Sequence, residues 1–319
     1  MFWGPDRKNN FMDFAISDWP VLPMEPVTTN EAFDDADTLF QVKWDGVRIL
    51  AYKYPDGQLR LFNRRKNERT QQYPEILQAL MALPGGTLLD GEIVALNEAG
   101  KPDFPRVLRR DLLRSIAKIQ LQAAHIPVHY MVFDVLWHDG TACYALPLAQ
   151  RLKILDKITF TSHMIHTVDA IPSQGRALFE AVKAEGLEGI VAKKAQSAYF
   201  IGKKTPLWQK IKCLRTVNAV VGGFIREEPV RIRSLLMGLS MEGGLQYIGA
   251  AASGVTQRQW LDITALLDKI PGPCPFENPP AVKNAYWVQP VLHAEVRFLE
   301  YTADGTMRAP AILNFLGGV

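Results

Sequence analysis

Lys43 stands in Phe40-Gln41-Val42-Lys43-Trp44-Asp45-Gly46-Val47-Arg48, between two strand-like runs. A lysine amine is a poor nucleophile while protonated, and becomes a useful one where burial or neighbouring cations depress its pKa. Candidate cations recur along the chain at Arg48, Arg64, Lys193, Lys210 and Lys212. Taken alone, Lys-x-Asp-Gly-x-Arg is a short pattern that chance produces, and a solvated lysine at a strand end would be the preferred reading. Four later segments shift that balance: Leu89-Asp90-Gly91-Glu92, Phe133-Asp134-Val135-Leu136, Glu188-Gly189-Ile190-Val191-Ala192-Lys193 and Trp208-Gln209-Lys210-Ile211-Lys212. They add acids, an aromatic ring and a pair of lysines, each segment on an expected strand.

With these five segments in this order, the chain resembles the covalent nucleotidyltransferase superfamily of DNA ligases, RNA ligases and mRNA capping enzymes. It is most similar to the ligase module of bacterial ligase D. That likeness is carried by Tyr130-Met131-Val132-Phe133-Asp134-Val135-Leu136, Leu146-Pro147-Leu148 before Arg151, Gly243-Gly244-Leu245-Gln246-Tyr247-Ile248-Gly249, Ala294-Glu295-Val296, and Thr302-Ala303-Asp304-Gly305. It runs from about Pro23 to Leu316, without the polymerase and phosphoesterase modules of that enzyme.

The resemblance implies a role for each matching residue. Lys43 would attack the α-phosphate of ATP and hold AMP as a phosphoramidate, while Arg48 and Arg64 reach ribose and phosphates. Phe133 would lie under the adenine, where a flat apolar face suits stacking. Glu92 would bind the ribose hydroxyl and, with Glu188, organise Mg2+ or Mn2+. Lys193 belongs to the same nucleotide site, and Lys210 and Lys212 would neutralise charge developing on the phosphate. Asp134 reads equally as a metal ligand or as a residue that orients its strand. The expected activity is ATP-dependent sealing of nicked double-stranded DNA, in repair or non-homologous end joining. The alternatives are an RNA ligase or capping-type enzyme, and a DNA-binding repair scaffold with impaired self-adenylation.

Two departures from the family pattern bear on that expectation. Gln41 stands where Glu is usual, and its carbonyl still accepts a hydrogen bond from the adenine amino group. The last segment, from Met307 to Val319, has Arg308 and Pro310 but no later basic side chain. The first adenylation step is therefore expected to be slower, or to rest on Arg308.

Arg106, Arg110, Arg114 and Lys118 recur every four residues on an expected helix over 105–121. Such a stripe would suit phosphates and make binding fall with salt, or would be a solvated face. Arg64-Arg65-Lys66, Lys203-Lys204 and Arg231 with Arg233 are similar loop candidates. The resemblance makes Ku and other end-joining proteins compatible partners, and the chain a monomer whose core alone grips DNA weakly.

The elements that must position these residues follow from pattern. Strands are expected at 40–43, 47–54, 59–63, 87–96, 128–137, 189–193 and 208–212, and helices at 73–83, 148–158 and 174–185. After Arg215 come a three-stranded meander over 217–250, a helix at 256–269 with Thr256 as N-cap, and strands at 287–289 and 293–301. The fold class is α+β: antiparallel sheets with flanking helices, then a small OB-type barrel. Residues 1–20 read as a loose leader, 21–215 as the adenylation domain, and 216–319 as the OB-fold domain.

Composition agrees with a globular enzyme. The chain has 319 residues, 48% hydrophobic and 22% charged, with a net charge of +3. The first 215 residues hold 28 Lys/Arg against 24 Asp/Glu, and the rest 8 against 9. Cys143, Cys213 and Cys274 are too scattered for a zinc site or a disulfide framework, and the histidines lack metal-ligand spacing. No secretory signal pattern and no long apolar run appear, so a cytoplasmic, nucleoid-associated protein without membrane contact is expected.

Overall fold

The computed structural model describes residues 14–227, 231–302 and 304–316, the Arg231 side chain excepted. Residues 1–13 of the expected leader, and 317–319, lie outside this range. The chain forms two compact units, the first ending at Cys213 and the second starting at Leu214.

The first unit runs β1 (Glu25–Thr28), β2 (Asp35–Val42), β3 (Val47–Lys53), β4 (Leu59–Asn63), α1 (Pro74–Leu80), β5 (Thr87–Ala95), α2 (Phe104–Asp111) and α3 (Ile116–His125). It continues with β6 (Val128–His138), β7 (Thr141–Ala142), α4 (Leu148–Leu155), β8 (Ile165–Thr167), β9 (Ile171–Ser173), α5 (Gly175–Ala184), β10 (Gly189–Lys194) and β11 (Lys204–Lys212). These strands make two sheets. One has the order β1-β11-β10-β2-β9; the other has β4-β3-β5-β6-β7, with β8 added in parallel to β6.

Strand β6 is nearly continuous in apolar residues because both of its faces are covered. Val128, Tyr130, Val132 and Val135 join the core under α1 and α4, while Leu136 and Trp137 pack with Trp19, Tyr52 and Trp208. The same aromatic core takes up the end of the expected leader. Trp19 is buried there, Phe14 packs against it, and the Phe14 amide donates to the Tyr144 hydroxyl at 3.0 Å. Residues 14–20 are therefore anchored by burial and not loose.

The expected single helix over 105–121 is two helices, α2 and α3, interrupted at residues 112–115. Asp103 caps α2, its carboxylate accepting from the Arg106 amide at 3.0 Å. Arg110, in the last turn of α2, is fully buried.

The second unit has β12 (Arg215–Glu227), β13 (Arg231–Met241), β14 (Gly244–Ala251), α6 (Gln257–Leu267), β15 (Ala285–Phe298) and β16 (Ala311–Leu316), with sheet order β14-β13-β12-β15-β16. Its two outer strands meet. Ser253, just past β14, bridges Ala311 at the start of β16, and the Ile312 amide donates to the Ser253 carbonyl at 2.9 Å. The sheet thereby closes on itself, as the OB-type expectation requires. Thr256 and Gln259 form a reciprocal capping box at the start of α6. That helix buries Ile263 and Leu267 in the barrel core.

The expected strands at 287–289 and 293–301 are one strand, β15. Pro290 lacks an amide donor, and the pairing with β12 slips there, from Val221–Leu292 to Gly223–Trp287.

Candidate active site

The pocket lies where the two sheets of the first unit face each other. β2 pairs antiparallel with β10, Gln41 opposite Val191 and Phe40 opposite Ala192. Phe40 is fully buried among Val182, Ile190 and Ile211. Alternation along the strand turns Gln41 and the following Lys43 the other way. The ladder extends one residue further, the Lys43 amide donating to the Gly189 carbonyl at 2.8 Å. Gly189 has φ +148°, and a Cβ there would stand 2.1 Å from the Ile211 carbonyl oxygen. Only glycine lets β10 begin this close to β11, directly after Glu188.

That junction sets the central charge cluster. Lys43 Nζ donates to Glu188 Oε2 at 2.5 Å, and Lys212 Nζ lies 3.2 Å from Glu188 Oε1. One carboxylate thus holds two ammonium groups. The Lys43 side chain remains 23% exposed while Glu188 is 7% exposed, so the amine faces the opening. Lys210 shares a β11 face with Lys212. Burial, then the ammonium groups of Lys212 and Lys43, draw its amine below the usual lysine range.

Arg48 and Glu92 are directly opposite each other on β3 and β5. The Arg48 guanidinium forks onto buried Asp90, Nε to Oδ1 at 2.9 Å and Nη2 to Oδ2 at 2.5 Å. Tyr199 donates its hydroxyl to the same carboxylate at 2.6 Å. Burial alone would lower the Arg48 pKa, but the Asp90 charge outweighs it and the net shift is upward. Arg48 lines the pocket, therefore, with its Nε and Nη2 already committed. Gly91, between the two acids, is small because a Cβ would meet the Tyr130 ring at 2.5 Å.

Glu92 also lines the pocket, and burial pushes its carboxyl up to about 8, against the pull of Lys43 and Arg48. Lys193, 2% exposed, sits between two rings, its Nζ 4.3 Å from the centre of Phe133 and 4.1 Å from that of Trp208. Burial lowers its pKa to about 7.

The cavity, of about 520 Å³ counted to its open mouth, is also lined by Trp44, Val191 and Gln41. Gln41 is buried, and its Nε2 donates to the Val168 carbonyl at 2.9 Å, while its Oε1 has no partner. A buried acceptor left over at a cavity wall is a place for a ligand donor. The Trp44 indole Nε1 is a second such orphan, a donor.

Of the expected residues, Gln41, Lys43, Arg48, Glu92, Phe133 and Lys193 line one pocket, and Glu188, Lys210 and Lys212 join it through Lys43. Arg64 does not line it; it is exposed in the turn after β4. Arg308 belongs to the second unit and pairs with Glu300 at 2.8 Å. Asp134 is a strand-orienting residue. Fully buried, it takes a bidentate grip from Arg151 at 2.7 and 2.8 Å, which leaves no free face for a metal.

Among the surface candidates, Arg106, Arg114 and Lys118 are at least partly exposed, but Arg110 is not available to DNA. It is fully buried, donating to the Ile126 carbonyl at 2.6 Å, the Gln72 carbonyl at 2.8 Å and Glu75 at 3.0 Å. The regular spacing hid this because a helix break lies inside it. The side chain of Arg231 lies outside the described residues. Asp90, Tyr199 and Trp208 were missed as site residues. Asp90 and Trp208 stood inside the motif segments, whereas Tyr199 carried no sequence signal.

Two hard carboxylates, Glu92 and Glu188, suit Mg2+ or Mn2+, which favour oxygen. Among the described residues no three acids, histidines or cysteines converge on a metal position. Substrate phosphates and water would have to complete the shell. Among those residues, too, no helix is long and apolar enough to cross a membrane.

Comparison with known proteins agrees with this geometry. Residues 23–212 match the family model of the ATP dependent DNA ligase domain, and residues 229–315 that of the ATP dependent DNA ligase C terminal region. The multifunctional non-homologous end joining protein LigD of Mycolicibacterium smegmatis is 33% identical over 281 residues, 85% of this chain and 35% of that protein. The chain thus spans about a third of that relative. The SPbeta prophage-derived DNA ligase-like protein LigB of Bacillus subtilis is 32% identical over 208 residues, 65% of this chain and 73% of that one. Among solved structures, mycobacterial DNA ligase D complexed with ATP and MES matches with a TM-score of 0.52 at 28% identity, covering 93% of this chain and 95% of that one.

Proposed function

The chain belongs to the ATP-dependent DNA ligase family, and from that premise we propose that it seals 5′-phosphate/3′-hydroxyl nicks in duplex DNA through a lysyl-AMP intermediate at Lys43. The observation that carries the reading is the position of the Lys43 amine. It stands at the mouth of a pocket walled by an aromatic ring and a free amide acceptor, with a second and a third lysine beside it.

Adenine stacks on Phe133, and its amino group donates to the unpartnered Gln41 Oε1. The Lys43 nitrogen forms a bond to the α-phosphorus of ATP as the bond to the β-phosphate oxygen breaks, and pyrophosphate leaves. The amine must first give up its proton and its contact with Glu188. Lys210 and Lys212 then face charge building on the phosphate. In the second step a 5′-phosphate oxygen of DNA takes AMP from Lys43. In the third, the 3′-hydroxyl attacks that phosphate and AMP is released. Glu188 and Glu92 would hold Mg2+ or Mn2+, which supplies charge screening on the phosphates. Arg308 would serve the leaving pyrophosphate, and Arg64 the phosphates, each from outside the pocket.

Arg106, Arg114 and Lys118 are the proposed phosphate contacts on the outer helices, Arg110 being excluded by burial. The context suggested by the LigD relatives is end joining, with Ku and other end-joining proteins as partners of a monomer near the nucleoid.

Incubation with α-labelled ATP and a divalent metal tests the first step. Covalent label is expected on the intact chain and none on Lys43→Ala; label that never attaches, or attaches equally to both, overturns the reading. Labelling by GTP in preference to ATP would point to capping chemistry instead. Pre-adenylated nicked DNA tests the last step separately.

A further inference from the structure

Away from the pocket, two histidines meet where β8 runs beside β6. The two strands are parallel, with Met131 beside His166. Side chains two apart on a strand share a face, so His129 and Met131 face the same way and His166 joins them. His129 Nδ1 and His166 Nε2 are 3.1 Å apart, the ring centres 5.2 Å apart and the planes inclined by 42°. His129 is half-buried and His166 exposed. The His163 imidazole lies close enough to act on the His129 charge. The ligation chemistry uses none of these groups.

We propose that His129 and His166 form a bidentate site for a divalent transition metal of zinc type, with water or His163 completing the coordination. Zinc binds imidazole nitrogen at about 2.0–2.1 Å, so two ligands at a tetrahedral centre stand roughly 3.3–3.4 Å apart. The observed separation needs only a few tenths of an ångström of opening. Both ring nitrogens of histidine serve as ligands, provided that the imidazole is neutral. Burial, and then the nearby His166 ring, hold His129 below the usual histidine range.

The chemistry separates this site from the carboxylates of the pocket. Mg2+ takes oxygen ligands, whereas zinc, nickel and copper ions favour imidazole. Among the described residues no third His, Cys, Asp or Glu already converges on the pair. The preformed part is therefore two nitrogens with open positions.

Zn2+ titration of the full chain by calorimetry, in excess Mg2+, tests the assignment. The proteins compared are the unchanged chain, His129→Gln, His166→Gln and His293→Gln, the last an exposed histidine on β15. One equivalent should bind the unchanged chain and His293→Gln alike. Each of the other two variants should lose about 10-fold or more in affinity, at least the loss that follows removal of an outer-shell partner. A Cu2+ spin-resonance spectrum of the unchanged chain, which needs no variant to fold, should show coupling to two imidazole nitrogens. Equal Zn2+ affinity in all four proteins, or a Cu2+ spectrum without two-nitrogen coupling, would leave the pair as a simple hydrogen bond and overturn the proposal.

Discussion

An amide whose nitrogen is already bonded has one group left to offer. In Gln41 the nitrogen is tied to the Val168 carbonyl, so the orientation of the side chain is fixed and its oxygen meets whatever enters the pocket. Substituting Gln41→Leu keeps the bulk and removes that acceptor. A lost hydrogen bond of this kind is worth about 1–1.5 kcal/mol, close to 10-fold in an equilibrium constant. The expected outcome is a rise of about 10-fold in the KM for ATP in lysyl-AMP formation, with kcat changed far less, measured by labelling at varied ATP. An unchanged KM would remove Gln41 from adenine recognition. At this scale the sequence was informative, because the chemistry-bearing residues came in short segments whose members stay neighbours on a strand. It was silent where a neighbour comes from far along the chain. Tyr199 on Asp90, and the Phe133 and Trp208 rings around Lys193, depend on how the two sheets face each other.

The helices α2 and α3 show where periodicity misleads. Arg106, Arg110, Arg114 and Lys118 keep a four-residue spacing, yet the helix ends at Asp111 and restarts at Ile116. Arg110 then serves as a buried clamp between the Gln72 and Ile126 carbonyls and Glu75. Removing one member of a buried charged network costs about 3–5 kcal/mol. Arg110→Ala should therefore lower stability by roughly that amount, read from urea denaturation midpoints. Arg114→Ala, at an exposed position, should stay within about 0.5 kcal/mol of the unchanged chain. Equal losses in the two would mean that Arg110 is not the clamp described. The longer strands were legible from their apolar patterns. β1, β8 and β9 were not, being three or four residues long and formed by pairing with strands distant in sequence. β15 read as two strands because Pro290 breaks its pairing without ending it.

At the scale of the whole molecule, nearly all of the expected nucleotide site lies in the first unit, and Arg308 alone comes from the second. Arg308→Ala should slow lysyl-AMP formation by about 100-fold, the loss seen when one charge-stabilising donor is removed. Sealing of pre-adenylated nicks should be unchanged, since pyrophosphate has already left. Equal slowing of both would instead mark Arg308 as a DNA contact or a structural residue. The first unit also carries a constraint at its margin. β1 lies along the outer side of β11, the strand of Lys210 and Lys212, with Glu25 beside Lys204 and Thr28 beside Lys210. Pro26 gives β1 an outer rim poor in donors, which resists further strand addition. A gene trimmed to start at Thr29 would spare every pocket residue except Pro26, yet leave the β11 edge bare and inviting to its own kind. Such a shortened protein would be expected to clump during expression, so the boundary for any minimal adenylating fragment falls before Glu25.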